Sequence, residues 1–371
     1  MRLSFLIFII AFYTGIFAIV CIHSLQLLPA KPVVRWTFTA TYIFLFISMI
    51  AGLFLEHKLG ISFAKIQTFV GYTFMLTVIY MALSYLAVDL IGLANKIFHF
   101  APTGMLVFRQ WAAIASLVII AVTLVIGNYR FNHPALVHLD LTVEHPVQHK
   151  SIKIVAASDI HLGTSIDKKM LHKYVQMINA RKPDIILLAG DITDRSFGPV
   201  MEQKMEQELS QLHAPLGVFA ITGNHEYYSG VPEDINEYLR AAGIRMLHDS
   251  VALVDHSFYL IGRDDRTNPK RQPLESLVQG LKPELPKILL DHQPYDLQQA
   301  VDNDIDLQIS GHTHNGQFFP GNLIVSKIFE VGYGYKKKGK THIYVSSGLG
   351  IWGPLYRIGT QSELVEINLK Y

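Results

Sequence analysis

Four stretches without a charged residue, Leu3–Ile22, Trp36–Leu55, Ile66–Val88 and Gln110–Gly127, constrain this chain more than any other feature. Each is about as long as the helix needed to cross ~30 Å of hydrocarbon, where backbone N–H and C=O groups meet no water and must pair within the segment. One such stretch could be a buried helix of a soluble protein, but four in succession read as transmembrane helices. Trp36 and Trp111 sit at stretch ends, where amphipathic rings anchor at the membrane interface. The first stretch could be a cleaved leader, but it is long for one, and Val20 before Cys21 is a poor cleavage context. The lone cysteine, Cys21, excludes an intrachain disulfide framework and reads as a small apolar core residue.

Charge divides the chain at the same place. Residues 1–128 carry seven basic residues (Arg2, Lys31, Arg35, Lys58, Lys65, Lys96, Arg109) and two acids (Glu56, Asp89), a net of +5. The remaining 25 basic and 28 acidic residues give 129–371 a net of −3. An even number of spans puts the N-terminus and the C-terminal half on one side. Arg2, Lys58, Lys65 and Arg130 would face one side and Lys31, Arg35, Lys96 and Arg109 the other. That balance gives the positive-inside rule nothing to weigh, so the side of the C-terminal half is undetermined. Asp89 follows the third stretch and Arg109 precedes the fourth. Antiparallel spans bring both to one face, and ionisable groups at membrane depth tend to pair, so an Asp89–Arg109 contact is expected.

The organisation expected is a membrane domain over 1–128, a linker and first strand over 129–150, and a further domain over 151–371. "HLDLTVEH" alternates as a strand would. After it, "IKIVAASD", "DIILLAGD", "GVFAITGNH", "KILLDHQP" and "LQISGHTH" are short apolar runs ending in turn residues, as buried strands do. "SIDKKMLHKYVQMINARKP" and "PVMEQKMEQELSQLH" have helical spacing between them. The later "KTHIYVSSG" and "ELVEINL" alternate in the manner of antiparallel strands. Strands alternating with helices argue for an α/β domain, whose ligands gather at the C-terminal ends of strands.

The residues at those strand ends are Asp159, His161, Asp191, Asp194, Asn224, His225, His292, His312 and His314. Carboxylate and imidazole without thiolate favour Mn²⁺, Fe²⁺, Zn²⁺ or a similar ion over a structural zinc. More than four ligands are available, and a carboxylate such as Asp191 can bridge, so two metals sharing one ligand is the economical reading. Asp191 and Asn224 could instead cap helices. His172, His213, His248, His256 and His342 read as surface or core residues, and Asp167 and Glu226 as solvated.

The motifs "DIH" (159–161), "GDITD" (190–194), "GNHE" (223–226), "DHQP" (around His292) and "GHTH" (311–314) stand in order, each after an expected strand. Together they resemble the calcineurin-like metallophosphoesterase superfamily, over about Leu136 to the end. The resemblance implies a four-layer α/β/β/α sandwich, here preceded by the four-helix transmembrane region. Carried over by motif, it puts one divalent ion on Asp159, His161, Asp191 and His314, and a second on Asp191, Asn224, His292 and His312. Their spacing suits cations about 3.5–4 Å apart that activate a water against phosphorus. Adjacent strand-end side chains diverge, so His225 is not expected to join Asn224 as a ligand. The family role of His225 is a general acid or leaving-oxygen stabiliser, oriented by Asp194. Arg195 could hold a phosphate oxygen.

Nucleic acid is a poor partner for a half of net charge −3. "GYGYKKKGK" (332–340) reads as a solvated hairpin tip or an anionic-headgroup contact. "GLGIWGPLYR" (348–357) offers Ile351, Trp352, Leu355 and Tyr356, in a loop expected either to contact lipid or to pack on the helical anchor. The phosphoesterases closest in pattern include bacterial membrane enzymes acting on lipid-linked pyrophosphates such as UDP-diacylglucosamine. The expectation is therefore a multi-pass protein of a bacterial cell membrane, with membrane lipid and a phosphorylated small-molecule or lipid substrate as partners. It would be a two-metal hydrolase of a phosphoester or pyrophosphate bond, Trp352 contacting substrate. The alternatives are an anchored phosphoesterase of soluble or cell-wall substrates, and a non-catalytic membrane scaffold; the complete ligand set argues against the scaffold.

Overall fold

The computed structural model describes residues 3–55, 60–100, 105–145 and 151–371, with side chains from residue 10 onward and, in the second helix, to residue 52. Arg2, Glu56 and Lys58, on which part of the charge reading rests, lie outside the described residues, as do 146–150 of the expected linker. The chain forms two compact units, Met1–Ile126 and Gly127–Tyr371.

The N-terminal unit is built from α1 (Leu3–Leu27), α2 (Pro32–Leu55), α3 (Ile61–Phe98) and α4 (Met105–Asn132), whose last residues enter the second unit. All four are long and apolar enough to cross a membrane. Phe17 of α1 stacks between Tyr42 (ring centroids 4.3 Å apart) and Phe46 (4.1 Å) of α2. Gly71 of α3 lies against the Met49 backbone, where a Cβ would come within 3.3 Å of Met49 Cα. A glycine lets the backbones come this close, which is how helices associate in lipid, where no hydrophobic force drives them together. The expected ion pair is present: Arg109 Nη2 lies 2.7 Å from Asp89 Oδ1. His23 Nε2 takes the other carboxylate oxygen at 2.9 Å, a partner the sequence did not signal.

The C-terminal unit holds two six-stranded sheets. The first has the order β1 (Ala135–Thr142), β12 (Glu363–Lys370), β2 (Ser151–Ala157), β3 (Ile185–Ala189), β4 (Val218–Ile221), β5 (Arg245–Met246). The second has the order β10 (Gly334–Lys338), β11 (Thr341–Val345), β9 (Leu307–Ser310), β8 (Lys287–Leu290), β7 (Phe258–Gly262), β6 (Ser250–Val254). Helices α5 (Lys168–Ala180), α6 (Gly198–Glu202), α7 (Glu206–Leu209), α8 (Asn224–Tyr228) and α9 (Pro232–Ala241) follow strands of the first sheet. Strands of the second are interspersed with α10 (Leu274–Val278), α11 (Gln298–Asp302) and α12 (Gly321–Ile328).

Alternation along each strand builds the layers. Ile152, Ile154 and Ala156 of β2 face Phe258, Leu260, Ile288 and Leu307 between the sheets. Val155 and Ala157 face the other way, onto Leu171, Tyr174 and Ile178 of α5 and, further along, Leu239 of α9. Behind the second sheet, Ile261 and Leu289 meet Leu274 of α10 and Ala300 of α11. Strands apolar on both faces are therefore covered on both faces, each large side chain contributing about 1.5–3 kcal/mol of burial. The result is the expected α/β/β/α sandwich.

Two elements differ from their sequence pattern. "PVMEQKMEQELSQLH" forms two short helices, α6 and α7, because Lys204 takes a left-handed conformation (φ 51°) between them. β11 and β12 are each antiparallel to one neighbour and parallel to the other, β11 to β10 and β9 and β12 to β2 and β1. Alternation along a strand reports which face is buried and carries no information on a neighbour's direction.

Candidate metal centre

Five strand ends converge at one edge of the sandwich: β2, β3 and β4 from the first sheet, β8 and β9 from the second. The loops between them are short and hydrogen-bonded to each other. Asp159 N–H donates to Gly190 O (3.0 Å), His161 N–H to Asp191 O (3.0 Å) and Gly311 N–H to His292 O (2.9 Å). Turning this sharply forces left-handed backbone at Asp159, His161, Asp191, His312 and His314, with φ between 49° and 70°. Each such non-glycine residue costs about 1–3 kcal/mol, a strain that collects where geometry serves a site. Glycines permit the closest approaches. A Cβ on Gly223 would lie 2.2 Å from Asp191 Oδ1, and one on Gly311 2.2 Å from Asp159 Oδ2.

All nine strand-end residues named from the sequence come together here. Ligand atoms lie within 4.8 Å of one another in each of three groups: Asp159, His161 and His314; Asp191, His292 and His312; and His161, Asp191 and His225. Asp191 joins the last two. The donor atoms are arranged as cations require. His292 Nδ1–H donates to Ala189 O at 2.8 Å, which fixes the tautomer and leaves the Nε2 lone pair facing the site. That Nε2 lies 3.1 Å from Asp191 Oδ2 without the alignment of a hydrogen bond. Asn224 Oδ1 is buried and unpartnered. His161 Nε2 and His314 Nε2 point at each other across 3.0 Å, and His314 Nε2 is 3.3 Å from Asp159 Oδ1. Buried polar atoms normally find partners, so lone pairs converging this way fit divalent cations with oxygen and nitrogen ligands.

The electrostatics agree. Burial holds His161 down to about 3 and His312 down to about 4, and it holds His314 well below the usual imidazole range, helped by His161 and Arg357. These imidazoles are neutral at pH 7, the form that binds metal. Burial also pushes the Asp159 carboxyl up. Burial opposes charge on His292 and Asp191 too, but the opposite charges around each together outweigh it: His292, facing Asp191 and Asp159, rises, and Asp191, facing His292, His225 and His161, falls well below the carboxylate range.

His225 stands beside this cluster. Its Nδ1–H donates to Asp194 Oδ1 at 2.8 Å, and its backbone N–H to Asp191 Oδ1 at 2.8 Å. Burial lowers its basicity, but Asp191 and Asp194 raise it more, and the net is upward. The reason given for keeping His225 off the metals needs correcting. Asn224 and His225 do not diverge from a strand end; they open helix α8, and His225 approaches His161 and Asp191 closely. What distinguishes it is the Asp194 hydrogen bond. Arg195 and Trp352, both exposed, line the same cavity of about 390 Å³ with Asp191, Asn224, His225, His312 and His314.

Glu226 is a second correction. It is fully buried, not solvated. Its carboxylate accepts from the backbone N–H groups of Asp191 (3.1 Å), Thr193 (2.8 Å) and Gly223 (2.7 Å), tying the β3 and β4 loops together. Burial pushes its pKa up, to about 7. Its place three residues after Gly223, at the start of a helix, was the available signal. Asp167, also read as solvated, caps α5 through Met170 N–H. Arg357 was missed altogether. Buried completely, it donates to His314 O (3.0 Å) and Gly350 O (2.7 Å), bracing the GHTH turn. In the loop expected to touch lipid, Ile351 and Tyr356 are buried and Leu355 packs on the core, so only Trp352 is exposed. The lysine-rich segment forms the β10–β11 hairpin, with Lys336 and Lys338 each 2.9 Å from Glu330.

A two-sheet sandwich with a His/Asp cluster at its strand ends defines an α/β protein with a candidate centre for divalent metals. The calcineurin-like phosphoesterase family model matches residues 152–316. A metallophosphoesterase of Campylobacter jejuni is 33% identical over 270 residues, 69% of this chain and 69% of its own length. One of Aquifex aeolicus is 34% identical over 228 residues, 59% of this chain and 85% of its length. A zebrafish transmembrane protein with metallophosphoesterase domain is 34% identical over 280 residues, 71% of this chain. This chain spans 63% of that relative's length. The chain belongs to the calcineurin-like phosphoesterase family, whose members depend on two metals and are generally hydrolases of phosphoesters. It is a multi-pass membrane member.

Proposed function

We propose that residues 151–371 form a two-metal phosphoesterase anchored by a membrane domain over 1–128. The convergence of seven metal-competent side chains from both sheets, with the His225–Asp194 pair beside them, carries this reading. Asp159, His161, Asp191 and His314 would hold one divalent ion, and Asp191, Asn224, His292 and His312 the other, with Mn, Zn or Fe all compatible with the donor set. When bound, such a pair supplies positive charge to phosphoryl oxygens and lowers the pKa of water.

The protein's own groups do the rest. The Asp194 carboxylate holds the His225 Nδ1–H, so Nε2 is the nitrogen free to carry a proton to a leaving oxygen, and the ion pair favours the protonated ring needed for that donation. Arg195, at the cavity wall, can take a phosphoryl oxygen. Phe318, Ile324, Val325 and Trp352 give the cavity an apolar wall next to the polar floor. That combination suits a phosphorylated amphiphile. No described residue of the cavity singles out a UDP-diacylglucosamine headgroup, so that narrower identity is not carried forward.

The test is purified full-length protein in detergent, loaded with each metal in turn. Lipid pyrophosphates are compared with chromogenic mono- and diesters. Turnover that requires metal and collapses in Asp191→Asn supports the proposal; turnover of none of these substrates under any metal overturns it.

A further inference from the structure

Outside its spans, the chain concentrates exposed apolar side chains in one place. Helix α12 has no buried residue. Leu323 is 52% exposed, Ile324 58% and Ile328 59%, and the neighbouring Phe319 and Trp352 are 45% and 38% exposed. A folded domain scatters such residues singly, and a contiguous group marks an interaction surface.

Two further observations say what covers it. The first is charge. Residues 319–340 contain five lysines (327, 336, 337, 338 and 340) and one acid, Glu330, a net of +4 in a half whose total is −3. Apolar side chains bordered by lysine match the interface of a bilayer containing anionic lipid. The second is position. The last apolar stretch ends at Gly127, and polar residues Asn128 and Arg130 follow. Those residues of α4 are held within the C-terminal unit by the segment 355–361. Gly127 O accepts from Arg357 N–H at 2.9 Å, and Asn128 Nδ2 donates to Leu355 O at 2.9 Å. A Cβ on Gly127 would lie 2.8 Å from Ile358 Cγ1. Ile358 in turn accepts from Phe319 N–H at 2.8 Å, two residues before α12 begins. Ile358 thus touches both the end of the last apolar stretch and the residue that leads into α12.

We infer that α12, with Phe319 and Trp352, is an interfacial surface that lies on the lipid bilayer and opens the metal-centre cavity towards it. Ile324, Val325 and Trp352 belong to both the surface and the cavity wall, so an amphiphile's apolar part can stay in the lipid while its phosphate reaches the histidines. This consequence for substrate rests on the phosphoesterase reading; the membrane contact does not.

The single cysteine makes the contact measurable. In a Cys21→Ser background, a nitroxide is placed at Leu323→Cys, at Ile328→Cys, and at the exposed Met201→Cys as an aqueous reference. The full chain is held in nanodiscs of phosphatidylcholine with phosphatidylglycerol. Labels at 323 and 328 should collide several-fold more with oxygen than with a nickel chelate, relative to the label at 201. Collision ratios equal to that reference overturn the inference. The double variant Leu323→Ser/Ile328→Ser changes only exposed side chains outside the cavity wall. It should turn over a vesicle-borne lipid phosphoester at least tenfold more slowly than wild type, and bis(p-nitrophenyl) phosphate at the same rate. Equal rates on the vesicle substrate would overturn the delivery role. Wild type inactive on both substrates would overturn the phosphoesterase reading, with the label depths still deciding the contact.

Discussion

At the scale of single residues, Asp191 and His225 should separate cleanly. Asp191 is shared between ligand groups, so Asp191→Asn should lower both metal content and turnover. His225 is engaged by Asp194, so His225→Ala should keep two metals and lose about 10²–10⁴-fold in rate if it acts as a general acid. Elemental analysis beside kinetics distinguishes them, and the opposite pattern would reverse the assigned roles. Glu226→Ala leaves three buried backbone donors unpaired, which at about 1–3 kcal/mol each should unfold or severely destabilise the unit. Thermal unfolding of the metal-free protein measures this apart from catalysis. A variant of wild-type stability would show that the carboxylate only touches those groups. The roles of these three residues differ although each is an acid or imidazole in a five-motif set. The motif letters named the residues, but only hydrogen-bond partners tell ligand, proton carrier and brace apart.

Among elements, the strand-end turns decide the site, and their glycines are needed for space. Gly223→Ala would drive a methyl into Asp191 and Gly311→Ala into Asp159, so both should lose metal, a loss that competition with a chromogenic chelator would quantify. A pH-dependent contribution lies on β12. Arg181 Nε donates to Glu366 Oε2 at 2.7 Å and His138 Nδ1 to Oε1 at 3.1 Å, and the Arg181 hydrogen bond holds the carboxyl below the usual range. A folded pKa lowered in this way stabilises fully above the unfolded value of about 4.3 and is lost as pH falls through the folded value. Glu366→Gln should therefore lower Tm by about 2–4 °C at pH 7, for about 1 kcal/mol, and the gap should close as pH falls below 4. A gap independent of pH would argue that packing, not charge, is lost. The strands themselves were legible. Runs such as "DIILLAGD" are apolar throughout because β3 is buried on both faces. The directions of β11 and β12 were not, since each depends on neighbours distant in the chain, and of Glu226 only the local contact to Gly223 N–H was signalled, not those to Asp191 and Thr193.

For the whole molecule, the membrane half offers its own test. Asp89 holds Arg109 at 2.7 Å and His23 at 2.9 Å, joining α1, α3 and α4. Reversing either Asp89 or Arg109 should reduce folded protein in detergent. The double swap should restore only part of it, because an arginine at 89 would then face His23. Strictly additive losses would argue against pairing. By itself, the sequence determined the membrane spans, an α/β domain and the identity of the metal-competent residues, while the sandwich followed only from the family resemblance. Hydrocarbon length, strand burial and ligand chemistry are local properties written along the chain. Tertiary structure decided what those residues do together: that His292 turns its free nitrogen to the site, that Arg357 and Glu226 brace it, and that α12 is left without a buried residue. Each of these depends on packing between segments tens to hundreds of residues apart, where a side chain's role is set by the atoms it meets and not by its own type.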